Sequence, residues 1–278
     1  MRSVTQQAKG GYTVLTLTKA KGSRKTLGLL NSRWEPGSYV WLAVRAPGAN
    51  PLKGKAPPPF GSDFACYHPI TIATPPIGPD GQPAKDFELV IKSMGPGTWS
   101  EAVNKKATTG APASQWKVWV GGPNGKLSFA PEHCDKIVLF AGGIGVTPMM
   151  SLALWAHRRS REFKTPLVHF IWVIRDHQVL DAFDSTLAEL QGSSTVKLDV
   201  YTTSNMNDLE KNGFTLTKGR PSFDGLLAST SASLKENSVI GVYTCGPKPL
   251  MQAVAHAAAV ANSAGMCKYF LHKETFEL

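Results

Sequence analysis

Ala141 to Pro148 reads A-G-G-I-G-V-T-P and stands between the apolar run Ile137 to Phe140 and the apolar periodic run Met149 to Ala156. Together the three pieces describe a strand, a glycine turn and a helix. The glycines let backbone approach a ligand closely, and the first helical amides face its phosphates. Thr147 is expected as the N-cap and Pro148 as the first helical residue, where a missing N–H costs nothing. Gly142, Gly143, Ile144, Gly145, Val146, Thr147 and Pro148 are therefore candidate phosphate contacts, the ligand being a dinucleotide. A competing reading is a membrane span, because Ile137 to Ala156 is a run of twenty uncharged residues. Glycines and Pro148 at the centre of that run would make a weak transmembrane helix and favour a buried strand–turn–helix. Pro148 also replaces the third glycine of G-x-G-x-x-G, so the fingerprint is incomplete.

Length and composition frame this motif. At 278 residues the chain is at the limit for one hydrophobic core, and two domains are expected. A hydrophobic content of 42% with 18% charged residues argues against disorder. The net charge of +10 calls for an anionic partner, which charge alone does not choose among cofactor, protein, lipid and nucleic acid. The basic clusters Lys19, Lys21, Arg24 and Lys25, then Lys105 and Lys106, then Arg158, Arg159 and Arg161, are read as solvated surface. Cys66, Cys134, Cys245 and Cys267 lie far apart, with no C-x-x-C pair and no histidine at zinc-ligand spacing, so no metal site is expected and the thiols read as reduced and cytosolic. The opening M-R-S-V-T-Q-Q-A-K-G lacks the apolar core of a signal peptide, which points to a soluble, unsecreted chain.

Two halves follow different patterns. The first has β-rich runs at Tyr12 to Leu17, Tyr39 to Val44, Phe87 to Lys92 and Trp116 to Val120. Pro/Gly-rich loops separate them, among them Ala46 to Gly61, with its stiff Pro57 to Pro59, and Pro75 to Pro83. This predicts an antiparallel β-barrel. From Lys136 onward, apolar strands at Ile137 to Phe140, Val168 to Ile174, Val196 to Tyr201 and Val239 to Thr244 alternate with helical stretches such as Phe183 to Leu190 and Pro249 to Ala261. That alternation predicts a parallel sheet with helices on both faces. The expected domains are residues 1–132 and 133–278.

The motifs within this frame carry a resemblance. His68-Pro69-Ile70-Thr71 resembles the flavin-binding H-P-F-T of the NADPH oxidase and ferric reductase family, within the ferredoxin–NADP reductase superfamily, with Ile70 in place of the usual aromatic. Gly97-Thr98-Trp99-Ser100 is similar to that family's G-D-W-T, which holds the flavin pyrophosphate, and Lys92 sits where a basic residue ends the preceding strand. In the second half the resemblance covers A-G-G-I-G-V-T-P, then Trp172 to Asp176 (W-V-I-R-D), Gly219 to Pro221 (G-R-P) and Cys245-Gly246-Pro247. The ending His272 to Phe276, H-K-E-T-F, resembles the family's terminal H-K-E-N-F. These motifs fall in the family's order over about 210 residues.

The resemblance implies FAD in the first domain and NADPH in the second. Flavin chemistry belongs to the cofactor, so the protein has to orient the ring, hold the phosphates and bring the nicotinamide alongside. By resemblance, Thr71 faces the reactive edge of the flavin, and Ser100 with nearby amides neutralises the pyrophosphate. At the end of the second α/β strand, Arg175 stands where a dehydrogenase selecting NAD has an acid, and a guanidinium there suits a ribose 2′-phosphate. Arg220 is a second cation for that phosphate by resemblance, and Asp176 beside them either orients the arginine or favours NADH. A solvated strand-end charge is the other reading of Arg175. Trp172 and Thr202 complete the coenzyme set. The family places Cys245 beside the nicotinamide carbon that gives up hydride, while sequence alone reads it as a small buried hydrophobe. Phe276 resembles the aromatic that covers the flavin, although Glu277 and Leu278 extend beyond the family's last residue.

The expected activity is an FAD-dependent NADPH dehydrogenase module passing hydride to FAD and then single electrons onward. By resemblance the acceptor is haem of a transmembrane domain, which reduces oxygen to superoxide or ferric iron to ferrous, with this chain at the cytosolic face. On that reading the chain is an excised domain. The alternatives are a soluble flavin reductase with a diffusible acceptor and an NADPH-binding sensor without flavin. A nucleic-acid binder accounts for the charge but offers no recognition motif.

Overall fold

The computed structural model describes residues 3–18, 34–44, 67–110, 112, 116–160, 166–205, 210–211 and 213–275. Cys66, Arg161, Phe276, the Lys19 to Lys25 cluster and the Ala46 to Gly61 loop lie outside the described residues. The chain divides into two compact units, Met1–Lys126 and Leu127–Leu278.

In the first unit the strands are β1 (Ser3–Lys9), β2 (Tyr12–Thr18), β3 (Tyr39–Val44), β4 (His68–Thr71), β5 (Asp86–Lys92) and β6 (Val118–Asn124), with helix α1 (Trp99–Thr108) between β5 and β6. They form two antiparallel sheets, ordered β1-β2-β5 and β4-β3-β6. A bridge between Ile72 and Leu89 joins them. Alternation does the sorting: Leu15 and Leu17 of β2, Val40 and Leu42 of β3 and Phe87, Leu89 and Ile91 of β5 meet in one core, which α1 closes with Val103 and Ala107. Strand β4 carries Pro69, which has no amide for a ladder; it lies at the edge of its sheet, where that omission is tolerated.

The second unit runs β7 (Lys136–Gly142), a 3₁₀ turn (Gly143–Gly145), α2 (Val146–Arg159), β8 (Leu167–Ile174), α3 (Gln178–Asp181), α4 (Asp184–Leu190), β9 (Val196–Thr202), β10 (Glu210–Lys211), β11 (Phe214–Lys218), α5 (Phe223–Ala232), β12 (Val239–Cys245), α6 (Lys248–Ser263) and β13 (Lys268–Glu274). Its sheet has the order β10-β11-β9-β8-β7-β12-β13, parallel throughout except at the short β10. Val138 and Phe140 share a core with Leu227 of α5 and Val254 and Ala257 of α6. The strand pleat sends Ile137 and Leu139 to the opposite face, and α2 packs against β7, β8 and β12. Both faces are therefore covered, which is why β7 is an unbroken apolar run. The antiparallel unit followed by a parallel α/β unit is the fold class read from the sequence. No helix among the described residues is long and apolar enough to cross a membrane, so the Ile137 to Ala156 run is a strand, a turn and a buried helix.

Two local expectations are corrected. Helix α2 begins at Val146 with Gly145 as its N-cap, so Thr147 and Pro148 lie inside the first turn. The Thr147 hydroxyl donates back to the Ile144 carbonyl at 2.8 Å instead of accepting a helix amide, and Pro148 is accommodated because first-turn amides have no intrahelical acceptor. Arg158 is not solvated surface. It is buried, and its guanidinium grips Glu189 of α4 in a two-pronged pair, Nε to Oε1 at 2.8 Å and Nη2 to Oε2 at 2.7 Å.

Candidate functional site

In the first unit the structure brings the two flavin-like motifs together. His68, partly buried on β4, stacks on Trp99 at the start of α1 with ring centroids 4.1 Å apart and planes 20° from parallel. Burial lowers the His68 pKa, which keeps the ring neutral and able to stack. Pro69 and Ile70 are half-buried beside it, and Thr71 is almost fully covered. Lys92 closes β5 just before the turn that carries Gly97.

That turn holds itself together with groups that were expected to bind phosphate. Thr98 caps α1: its hydroxyl oxygen accepts from the Glu101 amide at 3.2 Å, and its hydroxyl hydrogen goes to the Gly95 carbonyl at 2.7 Å. Ser100 is buried; its Oγ accepts from the Met94 amide at 3.0 Å and lies 3.2 Å from the Thr98 hydroxyl. Since the Thr98 hydrogen is committed to Gly95, the Ser100 hydrogen points at Thr98. The Gly97 amide donates to Glu101 Oε2 at 3.0 Å, and Glu101 pairs with Lys105 at 2.8 Å, contacts that hold its carboxyl below the usual range. The Ser100 hydroxyl, expected with nearby amides to neutralise a pyrophosphate, and the Gly97 amide are thus engaged within the turn itself. What remains is the pair of first-turn amides of Trp99 and Ser100, which have no intrahelical acceptor, and the Trp99 indole N–H, which is buried without a partner. An orphaned buried donor at a helix N-terminus fits a phosphate-bearing group such as FAD.

In the second unit the order of strands reverses between β7 and β12, and ligands of open α/β sheets bind outside the carboxyl ends at such a switch point. Both glycine motifs lie there. Ala141 is the register partner of Cys245, so Gly142 to Gly145 and Cys245-Gly246-Pro247 leave adjacent strand ends. A Cβ on Gly145 would stand 2.6 Å from the Cys245 carbonyl oxygen and 2.8 Å from the Gly246 nitrogen, so this glycine serves the approach of the two loops to each other. Gly143 is different: its φ is +52°, and a Cβ there would meet nothing within 4 Å. A ligand backbone can approach Gly143 on that open side. Ile144 is partly exposed there, whereas Val146, Thr147 and Pro148 are buried. Pro247 is the N-cap of α6.

Trp172 does not line this open side. It is 0% exposed, stands edge-on to Phe183 at 5.8 Å, and donates its indole N–H to the Gly143 carbonyl at 3.0 Å, so it meets the glycine loop from the buried side. Thr202 is likewise fully buried, with its hydroxyl 2.8 Å from that of Ser204.

A basic edge lies beside the switch point. Arg175 follows β8 and Arg220 follows β11, and both are exposed. Strand β9 stands between them; Thr203 N donates to the Ile174 carbonyl at 2.9 Å and Gly219 N to the Thr202 carbonyl at 2.8 Å, which ties the three strand ends together. With strands about 4.8 Å apart, the two arginine backbones are roughly 10 Å apart, within reach of one anion for two side chains of this length. Asp176 Oδ1 accepts from the Gln178 amide at 3.0 Å, a turn role the sequence did not disclose.

Cys245 is 3% exposed, and burial, with the nearby Glu274 carboxylate, pushes its thiol up to about 12. It is a neutral thiol at neutral pH and not a nucleophile. Glu274 is the side chain that sequence reasoning missed. It is the register partner of Cys245, and His272 Nε2 lies 3.1 Å from its Oε2. His272 Nδ1 accepts from the Ser128 amide at 3.2 Å, which assigns the ring hydrogen to Nε2. The signal was the spacing of His272 and Glu274, two apart and so on one face of a strand. Phe276, expected to cover the flavin, lies outside the described residues.

A family model described as the ferric reductase NAD binding domain matches residues 134–212. Dual oxidase 1 of Caenorhabditis elegans is 24% identical over 297 residues, covering 91% of this chain and 19% of that protein. A superoxide-generating NADPH oxidase heavy chain of Dictyostelium discoideum is 25% identical over 303 residues, covering 95% of this chain and 57% of its own length. The chain thus spans about a fifth of the first relative and little more than half of the second. Among solved structures, a ferredoxin NADP⁺ reductase from Neisseria gonorrhoeae matches with a TM-score of 0.61 at 14% identity, covering 98% of this chain and 96% of that one, a likeness of fold. The chain is thus similar in sequence to NADPH oxidases, its residues 134–212 match the ferric reductase NAD binding domain, and its fold is like that of a ferredoxin NADP⁺ reductase.

Proposed function

We propose that the chain is an FAD-dependent NADPH dehydrogenase module, with FAD held by residues 1–132 and NADPH by residues 133–278. The observation that carries this reading is the meeting of the Ala141 to Pro148 loop with Cys245-Gly246-Pro247 at the switch point, with open space at Gly143 and two exposed arginines at the neighbouring strand ends. The likeness to an NADPH oxidase heavy chain and to a ferredoxin NADP⁺ reductase solved with bound FAD and NADP supports the same coenzymes.

FAD, when bound, supplies the acceptor for hydride and releases electrons singly. The residues of the chain do the rest. The Trp99 indole N–H and the first-turn amides of α1 hold phosphate, Lys92 adds a cation, and the β4 segment His68-Pro69-Ile70-Thr71 supports the ring system. Gly143 and Ile144 take the coenzyme backbone, and Arg175 with Arg220 take the 2′-phosphate. Cys245, neutral and buried, gives the nicotinamide an apolar wall that excludes water and holds no charge against the departing hydride, and Glu274 places a negative charge behind that wall.

The electrons pass to haem of a transmembrane domain, with this chain at the cytosolic face and oxygen or ferric iron as the final acceptor. A direct test is to reduce the FAD-loaded chain with NADPH under anaerobic conditions and then offer ferric chelate, oxygen or a haem protein separately. Rapid reoxidation by haem alone is expected. Equally rapid reoxidation by a free chelate would instead make the chain a reductase with a diffusible acceptor.

A further inference from the structure

We propose that Trp172 is a positioning residue for coenzyme binding: by holding the Gly143 carbonyl inward, it aims the Ile144 amide outward as the anion donor of the glycine loop. This rests on the coenzyme reading given above.

A peptide unit is planar and trans, so the carbonyl of one residue and the amide of the next point in opposite directions. The Gly143 carbonyl is fixed from two sides, by the buried indole N–H of Trp172 at 3.0 Å and by the Val146 amide, the C-cap donor of the 3₁₀ turn. With that oxygen pinned toward the core, the Ile144 N–H on the same plane points the opposite way, out of a turn whose Gly143 and Ile144 are both partly exposed. Two features keep the indole from shifting. Phe183 packs edge-on against it, and Trp172 lies on β8 between β7 and β9, paired in register with Ala141 and Val200. The same strand end carries Arg175, so β8 sets the distance between the aimed amide and the cation for the 2′-phosphate. An indole is the side chain that fits: it fills a dry site and still delivers a donor to a carbonyl that would otherwise be buried with one partner fewer.

The test separates the two ends of the coenzyme. NADP⁺ engages both the glycine loop and the arginine edge, whereas adenosine 2′-monophosphate has no pyrophosphate and engages only the edge. Trp172→Phe, which keeps a ring and loses the donor, is expected to weaken NADP⁺ binding by calorimetry roughly ten-fold and leave adenosine 2′-monophosphate within about two-fold. Phe183→Leu, which loosens the packing around the indole but spares the donor, is expected to weaken NADP⁺ by less than Trp172→Phe does and to leave adenosine 2′-monophosphate unchanged. Ile144→Pro, which deletes the proposed amide itself, is expected to reproduce the selective loss and carries the test if Trp172→Phe does not fold. Parallel losses for both ligands, or no loss for NADP⁺, would overturn the proposal. If the unaltered chain binds neither ligand, it is the coenzyme reading that fails.

Discussion

On the proposed reading Arg175 and Arg220 set the coenzyme preference, because each brings a fixed fork of donors to a strand end where an acid would serve NAD instead. Removing Arg175 as Arg175→Ala should weaken NADPH relative to NADH by about 10- to 150-fold, the range for a charge-assisted hydrogen bond of about 1.5–3 kcal/mol. The ratio of the two KM values measures it, and equal losses for both coenzymes would show that Arg175 does not read the 2′-phosphate. Much of this was legible in the residues, since a basic side chain straight after an apolar strand is a local signal. The parts that were not legible depend on partners distant in sequence. Nothing in W-V-I-R-D says that the indole turns inward to Gly143, and nothing in G-T-W-S says that its hydroxyls bond each other. The buried thiols lead to another expectation. Their ordinary pKa is 9.0; burial pushes Cys245 up to about 12 and Cys134 up to about 11. The unfolded chain therefore ionises them first, so their contribution to stability is complete below pH 9 and is lost as pH rises toward the folded values. Melting temperature should fall between pH 9 and pH 11, less steeply in Cys245→Ala; a flat profile with an unchanged slope in the variant would contradict the burial argument.

At the scale of elements, α2 is the part on which the second unit turns. It is fixed at its start by the contact of Gly145 with the Cys245 carbonyl and near its end by Arg158 gripping Glu189. Gly145→Ala forces a methyl group into 2.6 Å of that carbonyl, so the loop and β12 have to part. NADP⁺ binding should be lost while FAD binding, which is assigned to the other unit, persists. Retention of NADP⁺ affinity in that variant would contradict the assigned fit. Arg158→Ala removes the two-pronged pair with the partly exposed Glu189 and should cost about 1.5–3 kcal/mol of stability, read by denaturant unfolding. The apolar strands β7, β8, β9 and β12 and helices α2 and α6 were readable because their patterns are long and strong. Others were not: β4 contains a proline and survives as an edge, and α5, F-D-G-L-L-A-S-T-S-A, mixes small polar residues that give helix periodicity little contrast.

For the whole molecule, the division into an antiparallel unit and a parallel α/β unit followed from the change of periodicity near residue 132, because burial on one face and burial on two faces leave different patterns in sequence. The charge of +10 was uninformative by itself and acquires meaning where Arg175 and Arg220 stand exposed at the strand ends. Whether one chain binds FAD and delivers hydride to it from NADPH is read from the oxidised-flavin absorbance band of the FAD-loaded chain after anaerobic mixing with NADPH. Bleaching of that band is expected, faster with NADPH than with NADH. A chain that quenches and shifts no flavin when FAD is added, or whose bound flavin stays oxidised in excess NADPH, would contradict the account.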